Sequence, residues 1–362
     1  MSDRIRVLLQ APLPPPTGGI ATWTHNVVHS DLAQEFDIRL VDMSYGTRAG
    51  GDKASLLQKA GKGVHGLFGV VDGLLQHRPH VLHVCSTGHP RPLLRDAPGL
   101  RMARASGVAT AVHIHGDAAR LTVRPRLSHR ILRKVDSVIT LGAGSRASAE
   151  SIGLKNVEVL PNSIAARPLP DRPPLGARRI RLLFLGNIQR AKGIIDLLEA
   201  LKSSPHLDLF IVGRWMNDRD GTSCEREVRN RIADPDLVQR VHLIGPVATE
   251  EVWTYYAQTD VLVLPSYTEG FPMTLLESMV SGMPSIVTPV GAMPEVVRHG
   301  QTGWVVPVGK PDELAKSLRA LTAKAVITAG AKANTLAREV YTHAAVHAQL
   351  ASLWRSLNDE VL

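Results

Sequence analysis

Short apolar runs alternate with helix-like segments along the whole chain of 362 residues. The runs are rich in β-branched residues and too short for helices, which predicts buried strands of parallel sheets. The segments between them repeat apolar residues at helical spacing. Strands are predicted at residues 5–9, 36–42, 80–85, 108–114, 137–141, 157–160, 180–185, 207–212, 240–244, 260–264, 285–288 and 304–306. Because strands alternate with helices, we predict an α/β fold with doubly wound sheets.

A proline-rich segment divides this alternation in two. Residues 165–179 contain four prolines and few apolar residues, a composition typical of a semi-rigid linker. We therefore predict two similar domains, at residues 1–168 and 169–340. The remaining residues, 341–362, include an amphipathic helix that needs an apolar partner. Residues 46–63, rich in Gly, Lys and Ala, are predicted to form a loop.

The composition is that of a globular protein, with 44% apolar and 21% charged residues. Aromatic residues make up only 4%, which argues against large aromatic binding platforms. Cys85 and Cys224 lie far apart and match neither metal-binding nor redox spacing, which favours a reduced, cytosolic protein. No apolar stretch approaches the roughly 18 residues of a transmembrane helix.

The net charge of +9 is confined to the first half of the chain. Residues 1–170 hold 21 Lys and Arg against 12 Asp and Glu, whereas residues 171–362 hold 21 of each sign. The excess is densest at 91–134, where ten basic residues accompany two acids. This asymmetry indicates different partners for the two halves.

Residues 260–288 form a predicted strand, loop, helix (Met273 to Ser281) and strand, with Glu269 before the helix and Glu277 inside it. Glu269 and Glu277 are about two helical turns apart if the helix begins near Gly270. Free N–H groups at the start of this helix, together with its dipole, favour a bound diphosphate. An ionised carboxylate only accepts hydrogen bonds, so the glutamates are expected to bind a ribose diol and sugar hydroxyls.

Two cations precede a helix in the next notable segment, at 181–201. Arg190 and Lys192 lie in the loop between a strand and the helix, where cations and a helix N-terminus form a phosphate site. They are expected to stabilise the negative charge of a departing nucleoside diphosphate. The alternative is a pair of solvated loop charges.

In the first half, His113 and His115 lie two residues apart on a predicted strand and share a face. His115 precedes Gly116 at the strand end, where doubly wound sheets bind ligands, whereas His113 is expected to be structural. Gly18 and Gly19 between a strand and a helix allow the backbone to approach a ligand closely.

Metal ligands are not predicted. Two Asp-x-Asp pairs, at 218–220 and 234–236, are interpreted as solvated loop residues. No His and Cys residues have zinc spacing.

The segment 269-EGFPMTLLESMVSGMPSIVTPVGAMPEVV-297 combines several features at fixed spacing. These are the paired glutamates, the Gly-Phe-Pro after the first, the Gly-x-Pro after the helix and the closing Gly-x-x-Pro-Glu-Val. Together they resemble the donor-site signature of retaining glycosyltransferase family 4, the glycosyl transferases group 1. The resemblance implies a GT-B fold, in which two Rossmann-like domains face a central cleft. It further implies an acceptor-binding first domain, a nucleotide-sugar-binding second domain and a C-terminal helix that crosses back to the first.

The resemblance also implies roles for individual residues. The expected catalytic residues are His115, Glu269, Arg190 and Lys192. The expected donor-binding residues are Gly18, Gly19, Arg190, Lys192, Arg214, Gly270, Phe271, Pro272, Met273 and Glu277. Arg214 departs from the acidic or small residue usual there, so it either touches the donor or pairs with loop acids. No cofactor or metal is expected, since the nucleotide-sugar is a substrate.

The implied function is a retaining, metal-independent transfer of a sugar to a glycan or polyprenyl-linked acceptor in cell-surface polysaccharide synthesis. We expect a cytoplasmic protein whose basic first domain contacts the anionic inner face of the cell membrane. No nucleic-acid partner is expected, because no nucleic-acid-binding module is recognisable. Two alternatives are a nucleotide-sugar epimerase of similar fold, which needs carboxylates on both sides of the sugar, and a non-catalytic sugar-nucleotide-binding protein.

Overall fold

The computed structural model describes residues 4–15, 18–44, 56–172, 174–175, 178–218 and 220–359. The chain divides into two compact units. Unit 1 comprises Met1–Ser163 and Ala344–Leu362, and unit 2 comprises Ile164–His343. The division therefore precedes the expected boundary at residues 168 and 169.

The strands of the described residues follow the predicted apolar runs to within one or two residues. They are β1 (Arg6–Ala11), β2 (Asp37–Asp42), β3 (Val81–Ser86), β4 (Ala109–Ile114), β5 (Ser137–Thr140), β6 (Val157–Val159), β7 (Ile180–Leu185), β8 (Leu207–Val212), β9 (Val241–Gly245), β10 (Val261–Leu264), β11 (Ser285–Val287) and β12 (Gly303–Val305). The residues of β3, β4, β5, β10 and β11 are all buried, as expected for strands covered on both faces, whereas β2, β6, β9 and β12 are only partly buried.

Helices occupy most of the segments between the strands. They are α1 (Gly19–Val28), α2 (Leu32–Glu35), α3 (Leu56–Asp72), α4 (Pro90–Ala105), α5 (Pro125–Leu132), α6 (Ala143–Ser151), α7 (Ile194–Lys202), α8 (Glu225–Ile232), α9 (Val252–Gln258), α10 (Met273–Val280), α11 (Met293–Val296), α12 (Pro311–Arg319), α13 (Ala323–Val340) and α14 (His343–Asp359). None of those in the described part of the chain has the length and apolar content to cross a membrane.

Unit 1 is a parallel six-stranded sheet in the order β2-β1-β3-β4-β5-β6. Alternate residues of its strands enter two apolar clusters on opposite faces. One cluster contains residues of α3, α4, α5 and α6. The other contains residues of α1 and of the C-terminal helix α14, whose Trp354 is fully buried. The helix at the end of the chain is thus part of the core of unit 1.

Unit 2 is a second parallel six-stranded sheet, in the order β12-β11-β10-β7-β8-β9. Numbered within the unit, this is the Rossmann order 3-2-1-4-5-6 read from the other edge. The chain direction of the connections reverses between β7 and β10, which are neighbours. The loops that follow these two strands therefore open at the switch point where such sheets bind nucleotides. The α/β, doubly wound expectation is confirmed for both units.

Two local expectations are corrected. The predicted loop at 46–63 is in part a helix, since α3 begins at Leu56, while residues 45–55 lie outside the described residues.

The described residues of the expected linker at 165–179 form hydrogen bonds with other residues of unit 2. Arg172 donates to the carbonyl oxygens of Tyr256 and Gly282, and Arg178 forms a bidentate pair with Asp260.

Candidate functional site

Two loops meet at the switch point of unit 2, one after β7 and one after β10. Gly193 has a φ of 70°, and a Cβ there would lie 2.0 Å from the carbonyl oxygen of Pro265, so only glycine fits. The backbone N–H of Tyr267 donates to the carbonyl of Ala191 at 2.9 Å. The Tyr267 hydroxyl donates to Asp196 at 2.7 Å. These contacts fix the two loops against each other.

Lys192 and Glu269, both expected to be catalytic, form an ion pair between these loops. The Lys192 Nζ lies 2.5 Å from the Glu269 Oε1, and the Ser266 hydroxyl donates to the same oxygen at 3.0 Å. The lysine side chain is 23% exposed and the glutamate side chain 11% exposed, so the pair is largely shielded from water. Residues far apart in sequence are thereby combined into one charged site.

The N-terminus of α10 lies directly after Glu269. The helix begins at Met273 with Pro272 as its N-cap, so Glu269 precedes the helix and Glu277 lies within it, as expected. Proline has no N–H, and no side chain from the residues that the structure describes caps this end of the helix. Gly291, with a φ of 58°, packs over the carbonyl of Gly270, where a Cβ would come within 2.2 Å. The loop at 269–272 is therefore held in place beside an uncapped helix end.

Glu277 lies one turn into α10 and is half-buried. The Tyr256 hydroxyl donates to its Oε2 at 2.7 Å. Burial raises the pKa of Glu277, an effect opposed by the Tyr256 hydrogen bond and the charge of Arg167. Burial, followed by the charge of Glu277, raises the pKa of Tyr256 well above its usual value. Sequence reasoning missed Tyr256, because nothing in its local pattern marks it as the partner of this carboxylate.

Arg190 is directed toward acids of unit 2 that were not expected to bind it. Its guanidinium pairs with Asp218 at 3.0 Å and with Glu227 at 2.9 Å. Its backbone N–H also donates to Asp218, at 3.0 Å. These hydrogen bonds raise the pKa of Arg190. The interpretation of Asp218 as a solvated residue was wrong, because its side chain is only 13% exposed.

Arg214 follows β8, beside the loop after β7. Its Nε donates to the amide oxygen of Asn187 at 3.3 Å, and its carbonyl accepts from the Ile188 N–H at 2.8 Å. Within the described part of the chain it forms no ion pair, so the alternative of pairing with loop acids is not seen there, and donor contact stays a prediction.

In unit 1, His115 follows β4 and joins a cluster of aromatic rings around Trp23. The Trp23 ring lies 4.9 Å from His115, 5.0 Å from His113 and 5.5 Å from His83, measured between ring centroids. The ring centroids of the two predicted histidines lie 3.8 Å apart, with the ring planes tilted by 35°. His113 is fully buried, and the ring nitrogens of His115 are buried without a hydrogen-bond partner among the described residues.

Burial makes these histidines neutral. It lowers the pKa of His83 and of His115 to about 3, and for His115 the neighbouring His83 adds to the effect. The pKa of His113 is lowered well below its usual value, by burial and then by the other two histidines. His115 can therefore donate or accept a hydrogen bond at neutral pH, but it offers no positive charge.

The cluster also places three metal-ligand types together, which sequence spacing did not reveal. The ligand atoms of His83, Cys85 and His113 lie within 4.8 Å of one another. However, Trp354 Nε1 donates to His83 Nδ1 at 3.1 Å, so the proton of this neutral ring is on Nε2 and leaves that atom no lone pair for a metal. Burial also raises the pKa of the Cys85 thiol well above its usual value, which disfavours the thiolate. The donor set as arranged does not fit a metal.

Gly18 and Gly19 lie at the start of α1. Gly18 is extended, and a Cβ on either residue would meet no atom of the described residues within 4 Å. The glycines thus leave open space at this helix end, while Pro16 and Thr17 of the same predicted loop lie outside the described residues.

Comparison with known proteins identifies relatives of this chain, and the family match lies in unit 2. A family model described as "Glycosyl transferases group 1" matches residues 170–335. A D-inositol 3-phosphate glycosyltransferase of Arthrobacter sp. (strain FB24) is 27% identical over 71% of this chain and 66% of its own length. Matches to other relatives span as little as 30% of their length.

Solved structures resemble the chain over nearly its full length. Sucrose-phosphate synthase from Thermosynechococcus elongatus is 17% identical, with a TM-score of 0.79 over 98% of this chain and 99% of that one. Anabaena Alr3699/HepE, solved in complex with UDP-glucose, is 17% identical, with a TM-score of 0.74 over 98% and 100%. At this identity the likeness shows the fold, and the GT-B expectation is confirmed.

Proposed function

We propose that the whole chain is a glycosyltransferase, on the premise that its residues 170–335 belong to the glycosyl transferases group 1 family. It transfers a sugar from a nucleotide-sugar to a glycan or polyprenyl-linked acceptor, in the synthesis of a cell-surface polysaccharide. The observation that supports this best is the ion pair of Lys192 and Glu269 beside the uncapped end of α10. The structurally similar Anabaena protein with bound UDP-glucose supports a nucleotide-sugar as the donor.

The charged groups of the site suit different parts of a nucleotide-sugar. An ammonium has three N–H donors, and Lys192 uses one for Glu269, which leaves two for a diphosphate. The N-terminus of α10 adds backbone N–H groups and the positive end of its dipole. The second oxygen of Glu269 accepts from a sugar hydroxyl, and Oε1 of Glu277 accepts from the ribose diol.

Arg190 binds the diphosphate only if it exchanges its present carboxylate partners. Its guanidinium is 46% exposed and already bound by Asp218 and Glu227. A diphosphate recruits Arg190 by competing with these two carboxylates. We therefore expect Lys192 to contribute more than Arg190 to stabilising the leaving group.

We further propose that transfer retains the configuration at the anomeric carbon. The bond between that carbon and the diphosphate oxygen breaks, and the acceptor hydroxyl oxygen bonds to the carbon on the same face. The hydroxyl proton passes to the departing diphosphate oxygen. Glu269 is held by Lys192 and Ser266, which favours orientation of the sugar over covalent attack. Neutral His115 hydrogen-bonds the donor sugar or the acceptor.

Metal independence is part of the proposal. Lys192 and the α10 N-terminus supply the positive charge that a metal provides in other sites, and Asp218 is occupied by Arg190. Activity should survive an excess of chelator. Loss of activity on chelation, with recovery on adding Mn²⁺ or Mg²⁺, would contradict this part.

The acceptor is proposed from the charge of unit 1. The positive excess of the chain lies in residues 1–170. Basic residues near an anionic leaflet each contribute about 1 kcal/mol, and salt screens them. We propose that the protein acts in the cytoplasm and associates peripherally with the inner face of the cell membrane, where a lipid-linked acceptor is presented.

Donor hydrolysis without acceptor tests the central proposal. Purified protein is incubated with a panel of nucleotide-sugars, beginning with UDP-glucose, and released nucleoside diphosphate is measured. We expect slow release by the wild type, near-complete loss in Lys192→Met, and no change in the control Lys202→Met, whose lysine pairs with Asp234 on another part of unit 2.

The same assay distinguishes the alternatives. An epimerase would convert the sugar without releasing its diphosphate, and a binding protein would hold the nucleotide-sugar without turnover. Once an acceptor is identified, NMR of the product's anomeric proton tests whether the configuration at the anomeric carbon is retained. An inverted product would exclude the same-face mechanism.

A further inference from the structure

A groove between α4 and α5 in unit 1 combines an apolar floor with a basic end. Its volume is about 740 Å³. The apolar lining includes Leu94, Leu100, Leu127 and Ile131. Among the described residues the basic lining consists of five side chains, Arg101, Arg104, Arg130, Arg133 and Lys134, and none of those lining the groove is acidic.

The five cations are exposed, and none takes part in an ion pair within the described ranges. By contrast, Arg95 on the same helix is paired with Asp96 at 2.7 Å. Cations near a helix C-terminus do offset the helix dipole, and Arg104 and Arg130 are in last turns. That effect does not explain the apolar groove between them, nor Leu94, which is 49% exposed.

We propose that this groove binds an anionic phospholipid of the membrane, with the phosphate at the basic end and an acyl chain along the apolar floor. The proposal rests on the membrane association proposed above and assigns it to one surface. From Leu94 to Arg104 the α4 helix rises about 15 Å. That length is about half of the roughly 30 Å hydrocarbon core, and so matches the depth of one leaflet.

The neighbouring helix α3 and the turn after it carry further exposed apolar side chains. Val64, Phe68 and the residue Leu75 just beyond α3 are 54%, 69% and 68% exposed, at spacings that share one helical face. The helices α3 and α4 pack on the same face of the sheet. Exposed apolar side chains beside a basic groove suit the boundary between headgroups and acyl chains. A nucleic acid would not use the apolar part.

Vesicle flotation tests the assignment with matched double variants. The groove variant is Arg104→Gln with Arg130→Gln. The control is Arg39→Gln with Arg146→Gln, which removes the same charge from unit 1 at residues paired with Asp72 and Glu150. Vesicles of phosphatidylcholine alone are compared with vesicles that also contain phosphatidylglycerol, at low and high salt. Circular dichroism checks that each variant folds.

We expect the wild type to float only with the anionic vesicles, and less at high salt. The groove variant should bind about 30-fold more weakly, from about 1 kcal/mol for each cation removed, whereas the control should change only a few-fold. Leu94→Gln should also weaken binding, and Ile327→Gln, an exposed apolar residue of unit 2, should not.

Equal weakening of the two double variants would overturn the assignment to the groove, and so would wild-type binding to neutral vesicles alone. Failure of the wild type to bind any vesicle would overturn membrane association altogether. Nucleotide-sugar hydrolysis in vesicle-free buffer is measured in parallel and should be the same in all these variants. If hydrolysis is absent even in the wild type, the transferase proposal fails while the vesicle result stands by itself.

Discussion

Acidification should destabilise unit 1 through the buried side chain of His83. The ring is fully buried on β3 and is packed by Trp23, Trp354 and His113. Burial lowers its pKa to about 3, compared with 6.5 for the unfolded chain. Below pH 6.5 the unfolded state therefore binds a proton that the folded state does not bind. Stability is greatest above pH 6.5 and falls as the pH decreases toward 3.

The size of the effect follows from the two pKa values. At pH 5 the unfolded His83 is protonated and the folded one is neutral, so the folded state loses about 2 kcal/mol relative to pH 7. The lowered pKa values of His113 and His115 act in the same direction. The loss of about 2 kcal/mol from His83 alone is therefore a lower limit for the loss of unfolding free energy. Such a loss is a large fraction of the stability of an ordinary domain.

His83→Asn isolates this contribution, because the asparagine oxygen can accept from Trp354 Nε1 without titrating. His25→Asn, at an exposed position on α1, is the matched control. Hydrogen exchange of β3 and β4 peptides, corrected for intrinsic rates, gives the opening free energy of unit 1 at pH 7 and pH 5. We expect His83→Asn to lose about 2 kcal/mol less than the wild type and the control. Equal losses in all three proteins would refute the linkage.

Three further outcomes follow from unit 2. Glu277→Gln should weaken binding of UDP by about 1–3 kcal/mol, measured by calorimetry, since one oxygen of this carboxylate is already used by Tyr256; unchanged affinity would rule out the ribose role. Lys192→Ala should reduce turnover about 10²–10³-fold, and Arg190→Ala less, because Arg190 is shared with two acids; near-normal turnover in both would place the site elsewhere. Arg178→Met should cost unit 2 about 3 kcal/mol in urea unfolding, because Asp260, 1% exposed, loses its partner; a loss below about 1 kcal/mol would mean that other donors to Asp260 suffice.

The strands were predictable from the sequence because their signal is local. The runs at Ile180–Leu185 and Leu207–Val212 have the predicted bounds. An apolar, β-branched run prefers the extended backbone and needs burial on both faces, whichever strand lies beside it. The start of α10 at Met273 also agrees with the prediction, although a proline suits either the N-cap or the first helical turn. The dihedral angles of Pro272 place it at the N-cap.

The meeting of Lys192 and Glu269 could also be anticipated, because loops after neighbouring parallel strands open at one edge of a sheet. The roles assigned to these residues, and to Glu277 and His115, stay predictions until they are measured. The sequence also contained the charge asymmetry and the family signature at 269–297, both of which can be read without a fold.

The partners of the charged and aromatic groups were decided only by the tertiary structure. Asp218 meets Arg190, Tyr256 meets Glu277, and Trp354 of the last helix meets His83. The physical reason is the range of the interactions. The residue type fixes a side chain's chemistry, and the residues next to it in sequence fix its local conformational preference. The group that reaches it, and the water it loses, depend on the order of strands and the packing of helices from distant parts of the chain.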